Sequence, residues 1–253
     1  MANETPQKSN AWKWWMAGVL FLATVLTYLD RQTLSLCGPM ICKEFNLSNE
    51  QYGELVAAFR WAYAFTHIPA GWIADHLPIR LFYVLAVGAW SAAGAAAAFV
   101  FRFRSLQATR ALLGVGEGFN WPCATRIVAN MLPPEDRGLA SGIFNSGAAA
   151  GSLIAPVIIT PIAVRFGWRW ASFLIGMIGG LWIVLWIAAT GKRSRAHEAV
   201  NSIQTPAADG ASAADGRGFL SWRHEVLMHP AFLMLFVVES SGCFTLGPPP
   251  AHF

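Results

Sequence analysis

Residues 81–101 read LFYVLAVGAWSAAGAAAAFVF, a stretch without a single charge. A hydrocarbon core about 30 Å thick is crossed by about 20 apolar residues in a helix, so this stretch alone argues for a membrane span. Residues 138–164 and 170–191 meet the same condition. Three further segments have the length but enclose charges: residues 14–42 hold Asp30 and Arg31, 52–74 hold Glu54 and Arg60, and 106–132 hold Arg110, Glu117 and Arg126. The pattern predicts six spans and an all-α membrane protein. A further apolar stretch near residue 231 meets Gly247-Pro248-Pro249-Pro250, and consecutive prolines cannot continue a helix. It reads as a truncated seventh helix.

Composition agrees. Of 253 residues 55% are hydrophobic and 13% charged, about half the roughly 25% charge of a soluble domain. A disordered chain is excluded, and the composition argues against an ordinary cytosolic enzyme. The net charge of +4 is scattered between apolar segments instead of forming the basic face that nucleic acid requires. No HExxH, GxSxG or P-loop is present, so no enzyme chemistry, metal site or cofactor is expected. Cys37, Cys42, Cys123 and Cys243 show no paired spacing and read as reduced packing residues.

Lysine and arginine counts set the orientation. Nine fall on the amino-terminal side (Lys8, Lys13, Arg80, Arg137, Lys192, Arg193, Arg195, Arg217, Arg223) and five opposite (Lys43, Arg102, Arg104, Arg165, Arg169). The amino terminus is therefore expected in the cytoplasm of a multi-pass plasma-membrane protein. The expected organisation is a cytoplasmic tail at 1–13, a six-helix bundle at 14–190, a cytoplasmic linker at 191–228 and the incomplete seventh helix with an aberrant end at 229–253. Small residues in the third span (Ser91 to Ala98) and the fifth (Gly142, Ser146, Gly147, Gly151) read as close helix packing.

An Asp or Arg at a helix centre costs roughly 2.5 to 3.5 kcal/mol on insertion scales, so Asp30, Arg31 and Arg110 must face a cavity or one another. Arg110 and Glu117 lie seven residues apart on one helix face, with Asn120 close to the same stripe and Pro122 placed to bend the helix. Arg60, Tyr63 and His67 form a second polar stripe. Two readings stay open. Asp30 with Arg110, or Arg31 with Glu117, can be register-fixing ion pairs; or the arginines present a fork to an anionic carboxylate while a carboxyl poised between desolvation and arginine carries a proton. Taken as two triplets, the first span of each holds an acid and an arginine near mid-membrane, which suits the repeat construction of secondary transporters.

These residues resemble the major facilitator superfamily, and within it the anion:cation symporters of sugar acids such as hexuronate, galactonate and glucarate. The stretches that carry the resemblance are Tyr28-Leu29-Asp30-Arg31-Gln32-Thr33-Leu34-Ser35, Gly71-Trp72-Ile73-Ala74-Asp75 with Arg80, Arg110 to Gly118, Pro134 to Gly138 with Ile154-Ala155-Pro156, and Phe166-Gly167-Trp168-Arg169-Trp170-Ala171. Glu117-Gly118-Phe119-Asn120-Trp121-Pro122 leans towards the hexuronate type. The resemblance implies the amino-terminal half of a twelve-helix fold working as a proton-coupled symporter of an organic anion. Asp30 and Glu117 are then the proton-coupling carboxylates, and Arg31, Tyr63, Arg110, Asn120 and Asn145 bind substrate. Asp75 and Arg80 form a gating latch, where His76 and Pro78 depart from the usual pattern. The implied partners are a small carboxylate, a proton, the lipid bilayer and a carboxyl-terminal six-helix half missing from this chain; the proton gradient supplies the energy. The alternative expectation is a truncated, transport-inactive fragment, or a half-transporter that needs a partner.

Overall fold

The computed structural model describes residues 10–190. All of its regular structure is helical: α1 Asn10–Phe45, α2 Asn49–His76, α3 Ile79–Ala96, α4 Phe103–Glu117, α5 Asn120–Met131, α6 Pro134–Phe166 and α7 Trp168–Thr190, with one 3-10 turn at Ala97–Phe99. The linker expected at 191–228, the seventh helix at 229–253 and Cys243 lie outside the described residues.

The connections follow from local chemistry. Asn46 takes a φ of 53°, a left-handed value that asparagine tolerates better than most residues. Ser48 then caps α2: its hydroxyl accepts from the Gln51 N–H at 3.2 Å, and the Gln51 side chain accepts from the Ser48 N–H at 3.0 Å. This reciprocal box satisfies two otherwise orphaned donors. Between α6 and α7 a single residue, Gly167, makes the turn at φ 89° and ψ 160°, a conformation essentially confined to glycine.

Five expected spans coincide with single helices to within a few residues. The fourth does not. Residues 106–132 were expected as one segment, and the chain forms α4 and α5 with a break at Gly118–Phe119. Pro122 explains it, because a proline offers no N–H to the Gly118 carbonyl one turn earlier. At the break the ladder tightens, with the Phe119 N–H donating to Gly116 at 3.4 Å before Cys123 resumes the regular pattern to Phe119 at 3.1 Å.

Among the described residues, four segments are long and apolar enough by themselves to cross a membrane: Trp12–Phe45, Ile79–Phe99, Pro134–Phe166 and Trp168–Thr190. Helix α1 packs mainly on α6, α2 on α4, and α3 on α7. Exchanging the first triplet of spans for the second turns the α1–α6 pair into the α4–α2 pair and leaves α3–α7 in place, so the packing has the two-triplet symmetry that the charges hinted at. Close approach depends on absent side chains. A Cβ on Gly147 would lie 2.7 Å from the Phe21 carbonyl oxygen, and one on Gly151 would lie 2.8 Å from Tyr28 Cβ. Gly142 has open space around it and Ser146 is exposed, so only part of that small-residue stripe serves packing.

Each end of the bundle has its own clamp. At the end where α1 begins, Lys13 pairs with Asp136 at 3.1 Å, and Arg137 donates to the Leu132 and Ala129 carbonyls at 3.1 and 2.7 Å, closing the end of α5. At the opposite end Glu44 accepts from Trp168 Nε1 at 2.5 Å and from Arg169 at 2.7 Å, while Arg169 also donates to the Ala98 carbonyl at 2.7 Å. Large apolar side chains cover the outside, among them Trp61, Phe65, Ile68 and Trp72 along α2 and Leu153, Val157 and Val164 along α6. Such a surface suits lipid and not water.

Candidate functional site

The mid-helix charges converge. Arg31 of α1 donates from Nε to Glu117 Oε2 of α4 at 2.8 Å, a charge-assisted bond at the short end of the usual range. Glu117 is sealed, with none of its side chain exposed, whereas Arg31 keeps 23%. The guanidinium carbon also lies 4.6 Å from the ring centre of Tyr63, 5.2 Å from that of Tyr28 and 5.4 Å from that of Phe59, within the reach of cation–π attraction. Of the two ion pairs left open by the sequence, the direct contact is Arg31 with Glu117.

The glycines of Gly114-Val115-Gly116-Glu117-Gly118 explain how a carboxylate comes to be sealed here. A Cβ on Gly114 would run into the Phe59 carbonyl oxygen of α2, one on Gly116 would lie 2.7 Å from Trp90 Cβ of α3, and one on Gly118 would lie 2.8 Å from Thr66 Cβ of α2. Backbones thus press against α4 from both sides around Glu117. Its Oε1 has no hydrogen-bond partner among the described residues, and neither has Nε of Arg110, one of the costliest conditions for a buried polar atom.

Asp30 and Arg110 complete the group. Asp30 is 5% exposed and Arg110 3%. Arg110 feels the charges of both Asp30 and Glu117, and Asp30 those of Glu117 and both arginines. Gly94 of α3 makes room for Asp30: a Cβ there would stand 3.1 Å from Asp30 Oδ1. Two acids and two arginines thus share the middle of the bundle, and their formal charges sum to zero.

The model of the family described as "Major Facilitator Superfamily" matches residues 20–249 of the chain. The chain belongs to the Major Facilitator Superfamily. A hexuronate transporter of Bacillus subtilis (strain 168) is 38% identical over 167 residues, which are 66% of this chain and 40% of that protein. A D-galactonate transporter of Escherichia coli O6:H1 is 30% identical over 168 residues, 66% of this chain and 39% of the relative. The chain therefore spans about two fifths of the length of these relatives. Among solved structures, the proton:xylose symporter XylE superposes with a TM-score of 0.65 at 17% identity over 77% of this chain and 50% of that one. A bacterial homolog of the human lysosomal transporter Spinster, inward-facing and unoccupied, gives 0.64 at 22% identity over 73% and 44%. These two likenesses establish the fold. The superfamily relatives are transporters and not enzymes.

Within this superfamily bundle, Asp30, Arg31, Tyr63, Arg110 and Glu117 form one group. Asn120 is engaged elsewhere: its carboxamide oxygen accepts from the Tyr83 hydroxyl at 2.5 Å, and the Tyr83 ring meets Trp182 and Trp186 edge-on at 5.2 Å each. Asn145 is half-buried on α6 with its side-chain oxygen unpartnered among the described residues. Arg80 is half-buried in the first turn of α3, and Asp75 belongs to the last turns of α2. His76 faces back onto its own helix, 2.8 Å from the Trp72 carbonyl and with its ring tilted against the Trp72 ring at 4.4 Å.

The sequence assigns no role to Tyr28 or Phe59, and it marks Gly94 only as part of the small-residue stretch from Ser91 to Ala98. The signal for the first two was available: Tyr28 precedes Arg31 by three residues and Phe59 precedes Tyr63 by four, the spacings that put side chains on one helix face. Gly94 sits in a run of alanines, and no local pattern marks its place beside Asp30.

Proposed function

We infer that this chain forms one wall of a proton-coupled symporter for a sugar acid, of hexuronate type, in a bacterial plasma membrane with the amino terminus in the cytoplasm. The Arg31–Glu117 contact carries the reading. With both acids ionised the four-charge group is neutral, Arg31 is held by Glu117, and no anion is attracted. Protonation of Glu117 removes that hold and leaves one positive charge in a low-dielectric interior, an expensive state. A substrate carboxylate binding to the Arg31 fork restores neutrality, so proton and monoanion enter together or not at all. Asp30, beside Arg110, is the second proton-coupling carboxylate; Tyr63 stacks on Arg31 and keeps its fork aimed, and Arg110 balances whichever acid stays ionised. Asn145, half-buried with an unpartnered side-chain oxygen, borders the route, whereas Asn120 is held on Tyr83 away from it. A second six-helix bundle supplies the opposite wall, and Asp75 with Arg80 gates the cytoplasmic end.

The relatives named for hexuronate and galactonate support the substrate class. Nine basic residues on the amino-terminal side against five opposite support the orientation. The test is uptake of labelled glucuronate into proteoliposomes that hold this bundle joined to its second six-helix half, under an imposed pH gradient, comparing wild type with Glu117→Gln. Loss of gradient-driven accumulation with retained exchange of internal for external acid is expected. Intact accumulation in the variant would remove Glu117 from coupling, and absence of both accumulation and exchange in the wild type would remove the transport reading.

A further inference from the structure

The face of α1 that bears Arg31 is polar half-way along the helix. Tyr28, Arg31, Gln32 and Ser35 are all half-buried, and their spacing of three, four and seven residues places them on one stripe. The exposed side of α2 is apolar by contrast, at Trp61, Phe65, Ile68 and Trp72. Lipid offers no partner to an amide or a hydroxyl, so a polar stripe half-way along α1 faces a route that admits water or solute.

Hydroxyls elsewhere on α1 are already occupied. Thr24 donates to the Leu20 carbonyl at 3.3 Å, Thr27 to Thr24 at 2.8 Å and Thr33 to Leu29 at 2.8 Å, the usual way a helix absorbs such groups. Gln32 and Ser35 make no hydrogen bond of this kind among the described residues. The Gln32 carboxamide therefore keeps two donors and an acceptor available, on the residue next to the arginine of the central pair.

We propose that Gln32, assisted by Ser35, is a specificity-determining residue that reads hydroxyl groups of the bound acid while Arg31 holds its carboxylate. This rests on the sugar-acid reading above and adds an orientation to it. Arg31 by itself recognises any carboxylate. Neutral groups that both donate and accept are what a polyol requires. Ser35 lies about one turn beyond Gln32, towards the end of α1 that contains Pro39, so the hydroxylated chain of the substrate runs along α1 from Arg31 in that direction.

The experiment is calorimetric binding to the two-bundle protein in lipid nanodiscs, with D-glucuronate and with cyclohexanecarboxylate, which has a six-membered ring and a carboxylate but no hydroxyls. Gln32→Ala and Gln32→Met are compared with wild type; the methionine keeps the side-chain length without the amide. Both variants are expected to weaken glucuronate about tenfold, roughly 1.4 kcal/mol, and to leave cyclohexanecarboxylate within about twofold, since a hydrogen-bonding site discriminates where an apolar one does not. Equal losses for the two acids, or no loss for either, overturn the role of Gln32 while leaving the sugar-acid reading intact. Failure of the wild type to bind glucuronate overturns both.

Discussion

Gly116→Ala adds one methyl group where α4 and α3 touch, and its effect follows from distances. The new carbon would stand 2.7 Å from Trp90 Cβ and 2.9 Å from Trp90 N, whereas carbon atoms rest at about 3.5 to 4.0 Å. The helices must part by roughly 1 Å. Helix α4 cannot retreat, because on its other side Gly114 meets the Phe59 carbonyl and Gly118 lies against Thr66. Overpacking of this kind costs about 1 to 3 kcal/mol, which at about 2 to 4 °C per kcal/mol for a domain of this size lowers the unfolding midpoint by roughly 2 to 12 °C. A displacement of that size also stretches the 2.8 Å Arg31–Glu117 bond towards the distance at which a hydrogen bond is lost. The assay is tryptophan-monitored thermal unfolding in detergent, with Gly142→Ala as the control, since a Cβ there meets nothing within 4 Å and alanine favours a helix by up to about 1 kcal/mol over glycine. If Gly116→Ala melts at or above the control, the packing explanation for the sealed carboxylate is wrong.

Other perturbations have separate readouts. Tyr83→Phe strands the buried Asn120 oxygen and should destabilise the bundle by about 1 to 3 kcal/mol in the same melting assay; an unchanged midpoint would mean that another donor replaces the hydroxyl. Gly167→Ala forces a side chain onto φ 89° at a cost of about 1 to 3 kcal/mol, visible as a lower midpoint, and an unaltered one would show that the α6–α7 turn can relax. Arg169→Ala removes the bonds to Glu44 and Ala98 and the stacking on Phe101 at 4.5 Å. Hydrogen exchange at the far end of α1 should then rise, and unchanged protection there would assign the clamp no role.

The span count was legible because apolar length leaves few alternatives, and mid-membrane Asp30, Arg31, Arg110 and Glu117 stood out by their insertion cost. Which acid meets which arginine was not legible. That choice depends on how α1 and α4 are placed relative to each other, which rests on packing between distant segments, α4 on α2 and α3 through Gly114, Gly116 and Gly118 and α1 on α6 through Gly147 and Gly151, and on no local pattern. The break at Gly118–Phe119 had a local cause in Pro122, one turn downstream. Asn120 shares a stripe with Glu117 in the sequence, yet the break turns it to Tyr83, and only the three-dimensional packing of α3 and α7 reveals that partner.

Coupling through Glu117 is tested most directly by counting protons taken up when the anion binds. Calorimetry of glucuronate binding in two buffers of different ionisation enthalpy, on wild type and Glu117→Gln, gives that count. The charge balance of the four-residue group predicts about one proton per bound anion in the wild type, with affinity rising as pH falls, and a smaller count in the variant. Binding with no proton uptake in the wild type would contradict it.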